Sequence, residues 1–444
     1  MHQARIILIN RKIVTLTTSK KNYNKMIITS LRHKASLTKP CLFFLFSFLF
    51  FSCSNDDSSG ALGEAEENSG PPVIPIAACE NGLAGVYPCM DYDLMSHISL
   101  SEFSATSGND SWGWTDPSTG IEYVLMGLGN GTAFVDISNP TEPIYLGKLV
   151  SQTPPALHRD IKVYKNFAFI VSESEGHGMQ VFDLTKLRNV TNAPTTFQAD
   201  ATYNEFEHAH NIVINESSGF AYVVGSNSFS GGPHIINIQN PLNPTFAGGY
   251  ALDGYSHDAQ VVTYNGPDTD HTGKEIFIGS NKKEVVIVDI TDKSDIKQIS
   301  SMSYEDVTYT HQGWLTEDQK YFLVGDELDE LQTGNNTRTI ILDFTDLDNP
   351  KLHTNYTGPL PAIDHNGYVK ENLYYLANYT GGMRVIDISD IENKNISEVG
   401  FFDSYPLSNS RDFNGAWNVY PFFESGNIII SDIDNGLFIV RKKE

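Results

Sequence analysis

"VVIVDIT", residues 285–291, is a run of four β-branched side chains that stops on an acid, Asp289, followed by an apolar residue and a threonine. Stiff, branched side chains fit a pleated strand, and the run is too short for a helix. The same ending closes "GTAFVDIS" at Asp136, "GMQVFDLT" at Asp183, "TIILDFT" at Asp343 and "GMRVIDIS" at Asp387. "GGPHIINIQ" with Asn237 and "GLFIVRK" with Arg441 occupy the same slot, so the motif returns seven times at intervals of 44 to 54 residues. Short strands broken by Gly, Asn, Asp and Pro at this period are the mark of β-propeller blades.

Within one unit the strands read "IKVYK", "NFAFIVSE" and "GMQVFDL", followed by a less apolar fourth. The fourth strands are expected at "PIYLGKL", "TTFQADA", "TFAGGYA", "IKQISSM", "KLHTNYT" and "ISEVGFF", six for seven units. The last unit ends soon after "GLFIVRK" and lacks one, and "HISLSEF", residues 97–103, is expected to supply it. The reading is therefore an all-β, seven-bladed β-propeller over residues 77–444, its ring closed by an N-terminal strand, which removes two raw sheet edges.

Aligning the strands that open each unit gives one column of Arg159, His210, His257, His311, His365 and Asn414. The next column holds Asp160, Asn211, Asp258, Gln312, Asn366 and Gly415. Alternate residues of a strand share a face, so each unit carries a polar head on an apolar strand at one height. In a propeller that strand lines the central channel, and the heads gather at one mouth. Two readings compete. Either each His is a structural hydrogen-bonder tying blade to blade, because buried polar groups must be paired, or His210, His257, His311 and His365 converge on a transition metal beside Asp160 and Asp258. Arg159, Asp160, His210, Asn211, His257, Asp258, His311, Gln312, His365 and Asn366 are the candidate binding residues.

Other candidates are more local. Asp268, Asp270 and Glu275 in "NGPDTDHTGKE" offer hard oxygens for calcium or form a solvated turn. "GDELDE", with Asp326, Glu327, Asp329 and Glu330, reads as a solvated acidic loop. Trp112 and Trp114 in "SWGWTD" suit either a stacking platform for a sugar ring or blade packing. His177, between glycines in "SEGHGMQ", reads first as a turn residue. There is no nucleophile elbow, Gly-rich phosphate loop, paired CxxC or HExxH.

The first 52 residues carry nine Lys or Arg and no acid, and end in the apolar run "CLFFLFSFLFF" before "FSCSNDD". That reads as an export signal, and its end resembles a bacterial lipoprotein signal with a lipidation cysteine at Cys53, departing from the usual pattern in that Phe50 stands where Leu is common. The run falls short of the about 20 residues a membrane helix needs. The stretch before Met26 adds nothing a signal requires, so Met26 is an alternative start. Residues 53–76, rich in Ser, Gly, Glu and Pro, read as a flexible tether. Beyond the signal stand 21 basic against 54 acidic residues, a field that repels phosphate backbones and argues against nucleic acid. Cys79 and Cys89, close together in an oxidising compartment, are expected to form a disulfide.

Long motifs in order, among them "CENGLAGVYPC", "RDIKVYKNFAFIVSESEGHGMQVFDL", "YTHQGWLTEDQKYFLVGDELDE" and "DHNGYVK", resemble the choice-of-anchor B family of exported LVIVD-repeat proteins, over residues 79 to about 441. The resemblance implies a protein fixed to the cell surface and carries no activity or catalytic residues. His158 departs from the aromatic residue expected there, which sets it apart from any shared site. The expectation is a single-copy, lipid-anchored module on the outer surface that binds a protein, glycan or small ligand. The rival is a metal-dependent envelope enzyme, with calcium or a transition metal as cofactor.

Overall fold

The computed structural model describes residues 74–444. The signal (1–52), Cys53 and all but the last three residues of the tether (53–76) lie outside the described residues. Seven antiparallel sheets follow one another along the chain, forming a seven-bladed β-propeller. Numbered in chain order by their innermost strands, the blades open at Gly108–Thr115, Arg159–Tyr164, Asn211–Asn215, Asp258–Thr263, Thr310–Leu315, Gly367–Lys370 and Ala416–Tyr420. Each of these strands touches those of the blades on either side, and Ala416–Tyr420 touches Gly108–Thr115.

The acid that ends each motif strand has a local cause. The side-chain oxygens of Asp136, Asp183, Asn237, Asp289, Asp343 and Asp387 each accept the backbone N–H two residues on, at 2.8–3.1 Å. This Asx turn ends the third strand and starts the connection to the fourth. Arg441 needs none, because the strand it lies on, Gly436–Lys442, makes no such turn; its other neighbour in the ladder is Tyr92–Ile98 from the beginning of the fold.

Two expected strand positions shift. The outer strand of blade 7 is Tyr92–Ile98 rather than 97–103; residues 99–103 turn away, with Glu102 accepting from Ser99 N at 2.8 Å. In "TTFQADA", Thr195–Phe197 leaves its own blade and pairs in parallel with Ile144–Val150 of blade 1, while Ala201–Tyr203 is the true fourth strand of blade 2. Blade 6 also gains outer strands, Tyr87–Met90 and Leu83–Ala84, and the Cys79–Cys89 disulfide sits in the segment that forms them.

The apolar core lies between blades rather than inside them. Seven clusters each join one blade to the next: Phe182, Leu184 and Ile161 pack against Phe134 and Trp114, for instance, and Tyr368 and Val385 against Val419 and Phe438. A fully buried Val, Ile or Phe is worth about 1.5–3 kcal/mol, so blades depend on their neighbours.

Candidate functional site

At one end of the inner strands six rings form a closed circle: His158, His210, His257, His311, His365 and Trp417. Successive centroids lie 5.1, 4.0, 4.4, 4.4, 4.7 and 5.0 Å apart. The structure brings four expected histidines together and corrects the ends of the column. His158, set aside on the sequence, is in the circle, whereas Arg159 is 1% exposed and turned between blades. Arg159 donates to Leu128 O at 3.2 Å, Ser151 Oγ at 3.0 Å and His177 Nε2 at 2.9 Å, which makes it and His177 structural. Asn414 sits at the rim, donating to Asp434 at 3.0 Å, and Trp417 takes its place; the irregular register between Ala416 and Asn418 is what displaces the count.

Four of the five imidazoles are oriented through Nδ1. Nδ1–H of His257 donates to His311 O at 3.2 Å and that of His365 to Trp417 O; His158 and His210 point Nδ1 at the two oxygens of Glu173, at 2.9 and 2.7 Å. A proton on Nδ1 leaves a lone pair on Nε2. Burial pushes His257 and His311 well below the ordinary imidazole range, with neighbouring histidines adding to it, and brings His365 to about 3. These three rings are neutral at physiological pH.

Below the circle, the second column latches blade to blade. Asp110 accepts Ile161 N–H at 3.0 Å, Asp160 accepts Ile212 N–H at 2.7 Å, Gln312 bridges Gly367 N and O at 2.9 and 3.1 Å, and Asn418 donates to Ser111 O at 2.7 Å. Inner-strand backbone groups face the channel and would otherwise be buried unpaired, at about 1–3 kcal/mol each. Asp160, offered as a binding residue, is thereby committed to structure, as are Asp258, which accepts its own Ala259 N–H at 2.6 Å, and Gln312. Lys162 stands among the acids, 2.7 Å from Asp160 and 3.6 Å from Asp110, with its ammonium 4.7 Å from the Trp112 ring centroid. Burial and then Asp160 raise Asp258 to about 7; Asp160, despite a burial that raises it, is held low by Lys162. A cavity of about 20 Å³, room for one water or ion, separates circle from latch.

Charge collects to one side of the circle. The loop read as solvated is buried instead: Asp326 and Glu330 are fully buried, Asp329 is 2% exposed, and Asp364 from the next blade joins them at 0%. Asp326 accepts from Thr308 N at 2.7 Å and Tyr309 N at 2.6 Å, and Arg338 holds Asp329 at 2.6 Å. Among the described residues, both carboxylate oxygens of Glu330 and of Asp364 have no hydrogen-bond partner. Burial, then Asp329, raises Glu330; burial, then Glu330 and its acidic neighbours, raises Asp364. The tertiary burial of a short polar loop leaves no periodic trace in sequence, so this group was missed.

Potential ligand atoms gather in three places among the described residues: His158–Glu173–His210, His311–Glu327–His365 and Asp268–His271–Asp348. The expected metal set of His210, His257, His311 and His365 is thus divided, and His257 joins none. The calcium set does not converge. Asp268 accepts Leu347 N at 2.9 Å, Asp270 is exposed, and Glu275 turns to blade 3, where it accepts from Asn215 at 2.7 Å and Ser218 at 2.6 Å.

Farther along the same inner strands the channel opens into a cup of about 320 Å³ lined by Trp112, Trp314, Tyr420, Phe422, Val163, Val213, Ile214, Val261, Gln260, Lys162 and Glu216. Trp112 lies 5.1 Å from Tyr420 and Trp314 lies 6.3 Å from Phe422, while Tyr368 backs both tryptophans at 5.9 and 4.9 Å. Trp112 is therefore open to the channel; Trp114, its expected partner as a platform, is 3% exposed and stacks on Tyr123 at 5.2 Å.

Fold and motif together define a propeller built of LVIVD repeats. The LVIVD repeat model matches residues 122–149, 272–303 and 368–398, each containing a motif strand. No curated protein matches the chain. Among solved structures it is similar to a Kuenenia stuttgartiensis hydrazine synthase, with TM-score 0.52 and 12% identity over 72% of this chain and 92% of that one. It is similar also to a Lactobacillus plantarum protein, with TM-score 0.50 and 10% identity over 73% and 89%. The Myceliophteria thermophila Cps50 (Swd1) β-propeller domain matches with TM-score 0.50 and 10% identity over 80% and 100%. At these identities the likeness is one of fold.

Proposed function

We propose that the chain is an interaction module of the choice-of-anchor B kind, lipid-anchored through Cys53 on the outer cell surface and working as a single copy. The observation that carries the binding reading is the aromatic cup. Its volume falls in the range of ligand sites, and it combines apolar walls with a few polar groups, Lys162, Gln260 and Glu216. Two indole faces favour a ring: a sugar of a glycan, or an aromatic side chain of a partner protein. The acidic excess of the chain favours neutral or cationic partners over anionic ones. Support for the anchor is the sequence around Cys53, and for export the basic and apolar leader.

The experiment is intrinsic fluorescence, since two of the four tryptophans line the cup. The full chain is titrated with a panel of soluble glycans and aromatic peptides, alongside W112A and W314A. A saturable change in the parent, weakened at least about tenfold in both variants, is expected from the loss of one stacking face, worth about 1.4 kcal/mol. A ligand that binds folded W112A and W314A as tightly as the parent overturns the cup as its site.

A further inference from the structure

We propose that His311, Glu327 and His365 form a binding site for a divalent first-row transition metal ion. Glu327 Oε1 stands 3.8 Å from His311 Nε2 and 3.9 Å from His365 Nε2, and the two nitrogens are within 4.8 Å of each other. These gaps are too long for hydrogen bonds. The two carboxylate–imidazole gaps match a shared ion: ligands about 2.0–2.2 Å from one metal, at angles of roughly 110–130°, stand about 3.3–4.0 Å apart. The companion cluster shows the contrast, because His158 and His210 already touch Glu173 at 2.9 and 2.7 Å and leave no such gap.

The donors are also prepared for the task. His365 gives its Nδ1–H to Trp417 O, which fixes the ring and turns its Nε2 lone pair to the gap. Outer hydrogen bonds of this kind are the usual support of a metal-bound imidazole. Tyr379 Oη donates to Glu327 Oε1 at 2.8 Å, holding the carboxylate while leaving it a second lone pair. Among the described residues, His311 Nδ1 is buried without a hydrogen-bond partner.

The surroundings supply the charge. Asp326 precedes Glu327 and Asp364 precedes His365, and with Asp329 and Glu330 they form a buried acidic group opposed by one guanidinium, that of Arg338. A cation bound beside gathered carboxyl groups is favoured by their field. Two imidazoles and one carboxylate select a transition ion over calcium or magnesium, which take oxygen ligands. Three protein donors leave at least one position of a tetrahedral ion for an outside ligand. This site is independent of the aromatic cup.

The test uses the full chain, stripped with chelator and titrated with zinc chloride by calorimetry, then with cobalt(II) by visible absorption. One ion per chain is expected, with the intense visible bands of low-coordinate cobalt, and at least a hundredfold weaker binding in E327Q and H365Q. E173Q should bind like the parent. Absence of stoichiometric binding by the parent, undiminished binding by folded E327Q or H365Q, or equal loss in E173Q overturns the assignment. Should E327Q and H365Q fail to fold, the cobalt spectrum of the parent decides: a purely octahedral aquo spectrum refutes the site.

Discussion

Replacing Lys162 with Met tests whether buried charge balance holds the channel together. The side chain is one-tenth exposed, 2.7 Å from Asp160 and 3.6 Å from Asp110, with Asp258 a further carboxylate in its field. Methionine preserves the apolar stem and leaves the acids without their cation. Removing one partner of a buried pair costs about 3–5 kcal/mol, and the lost contact with Trp112 adds about 0.5–2 kcal/mol. Urea unfolding of K162M should therefore show a loss of about 3–5 kcal/mol or somewhat more. The pH dependence fixes the cause. Asp258 titrates at about 7 in the fold, above the ordinary carboxylate value. The folded state therefore binds the extra proton, and stability falls as pH rises toward 7. Without Lys162 this penalty deepens, so the K162M deficit should shrink from pH 8 to pH 5, and D110N should recover part of it. A deficit under about 1 kcal/mol, or one that does not change with pH, refutes the reasoning.

Asp116, gripped by Arg188 at 2.6 Å through two nitrogens, titrates at about 2, because that hydrogen-bonded pair outweighs burial. Its stabilisation is present above the unfolded value and lost as pH falls toward 2, so melting of D116N should be lower than the parent at pH 7 and converge with it in acid. Substituting His257 by Gln breaks the bond to His311 O and should lower the unfolding free energy by about 1 kcal/mol, read by urea titration; no change would mean the circle does not brace the blades. Alanine at Gly325 would put a methyl group 2.5 Å from Asp364 Oδ2 and should cost about 1–3 kcal/mol in thermal melts. Leu94→Pro removes the N–H that Ala77 O accepts at 2.9 Å on the outer edge of blade 7 and should promote self-association in light scattering by uncovering that edge.

The architecture was legible because it is written in local chemistry. Asp136, Asp183, Asp289, Asp343 and Asp387 recur because each terminates a strand by capping its own turn, so a regular shape leaves a regular spelling. The histidine circle was half legible. His210, His257, His311 and His365 align by counting, but counting assumes an unbroken register, and irregular pairing near Gly108, Thr310 and Ala416 moves side chains from one face to the other. Near Ala416 this puts Trp417 where counting places Asn414; blade 2 pairs without interruption from Arg159 onward, and His158 enters the circle from the residue before that strand. The buried acids were illegible, because Glu330 and Asp364 look like solvent residues until blades 5 and 6 close over them. The aromatic cup was likewise hidden, its walls coming from residues more than 300 positions apart, such as Trp112 and Tyr420.

The outer ladders of blades 6 and 7 are built from Leu83–Ala84, Tyr87–Met90 and Tyr92–Ile98, the earliest strands of the described fold. A pull on residue 74 therefore enters there, and the Cys79–Cys89 crosslink passes the load directly from Cys79 to Cys89, sparing residues 80–88. Beyond it, the hydrogen bonds of Tyr92–Ile98 to the final strand must yield before the two ends of the polypeptide can part. A pull on the leading segment of the described fold would thus be resisted by the final strand as well.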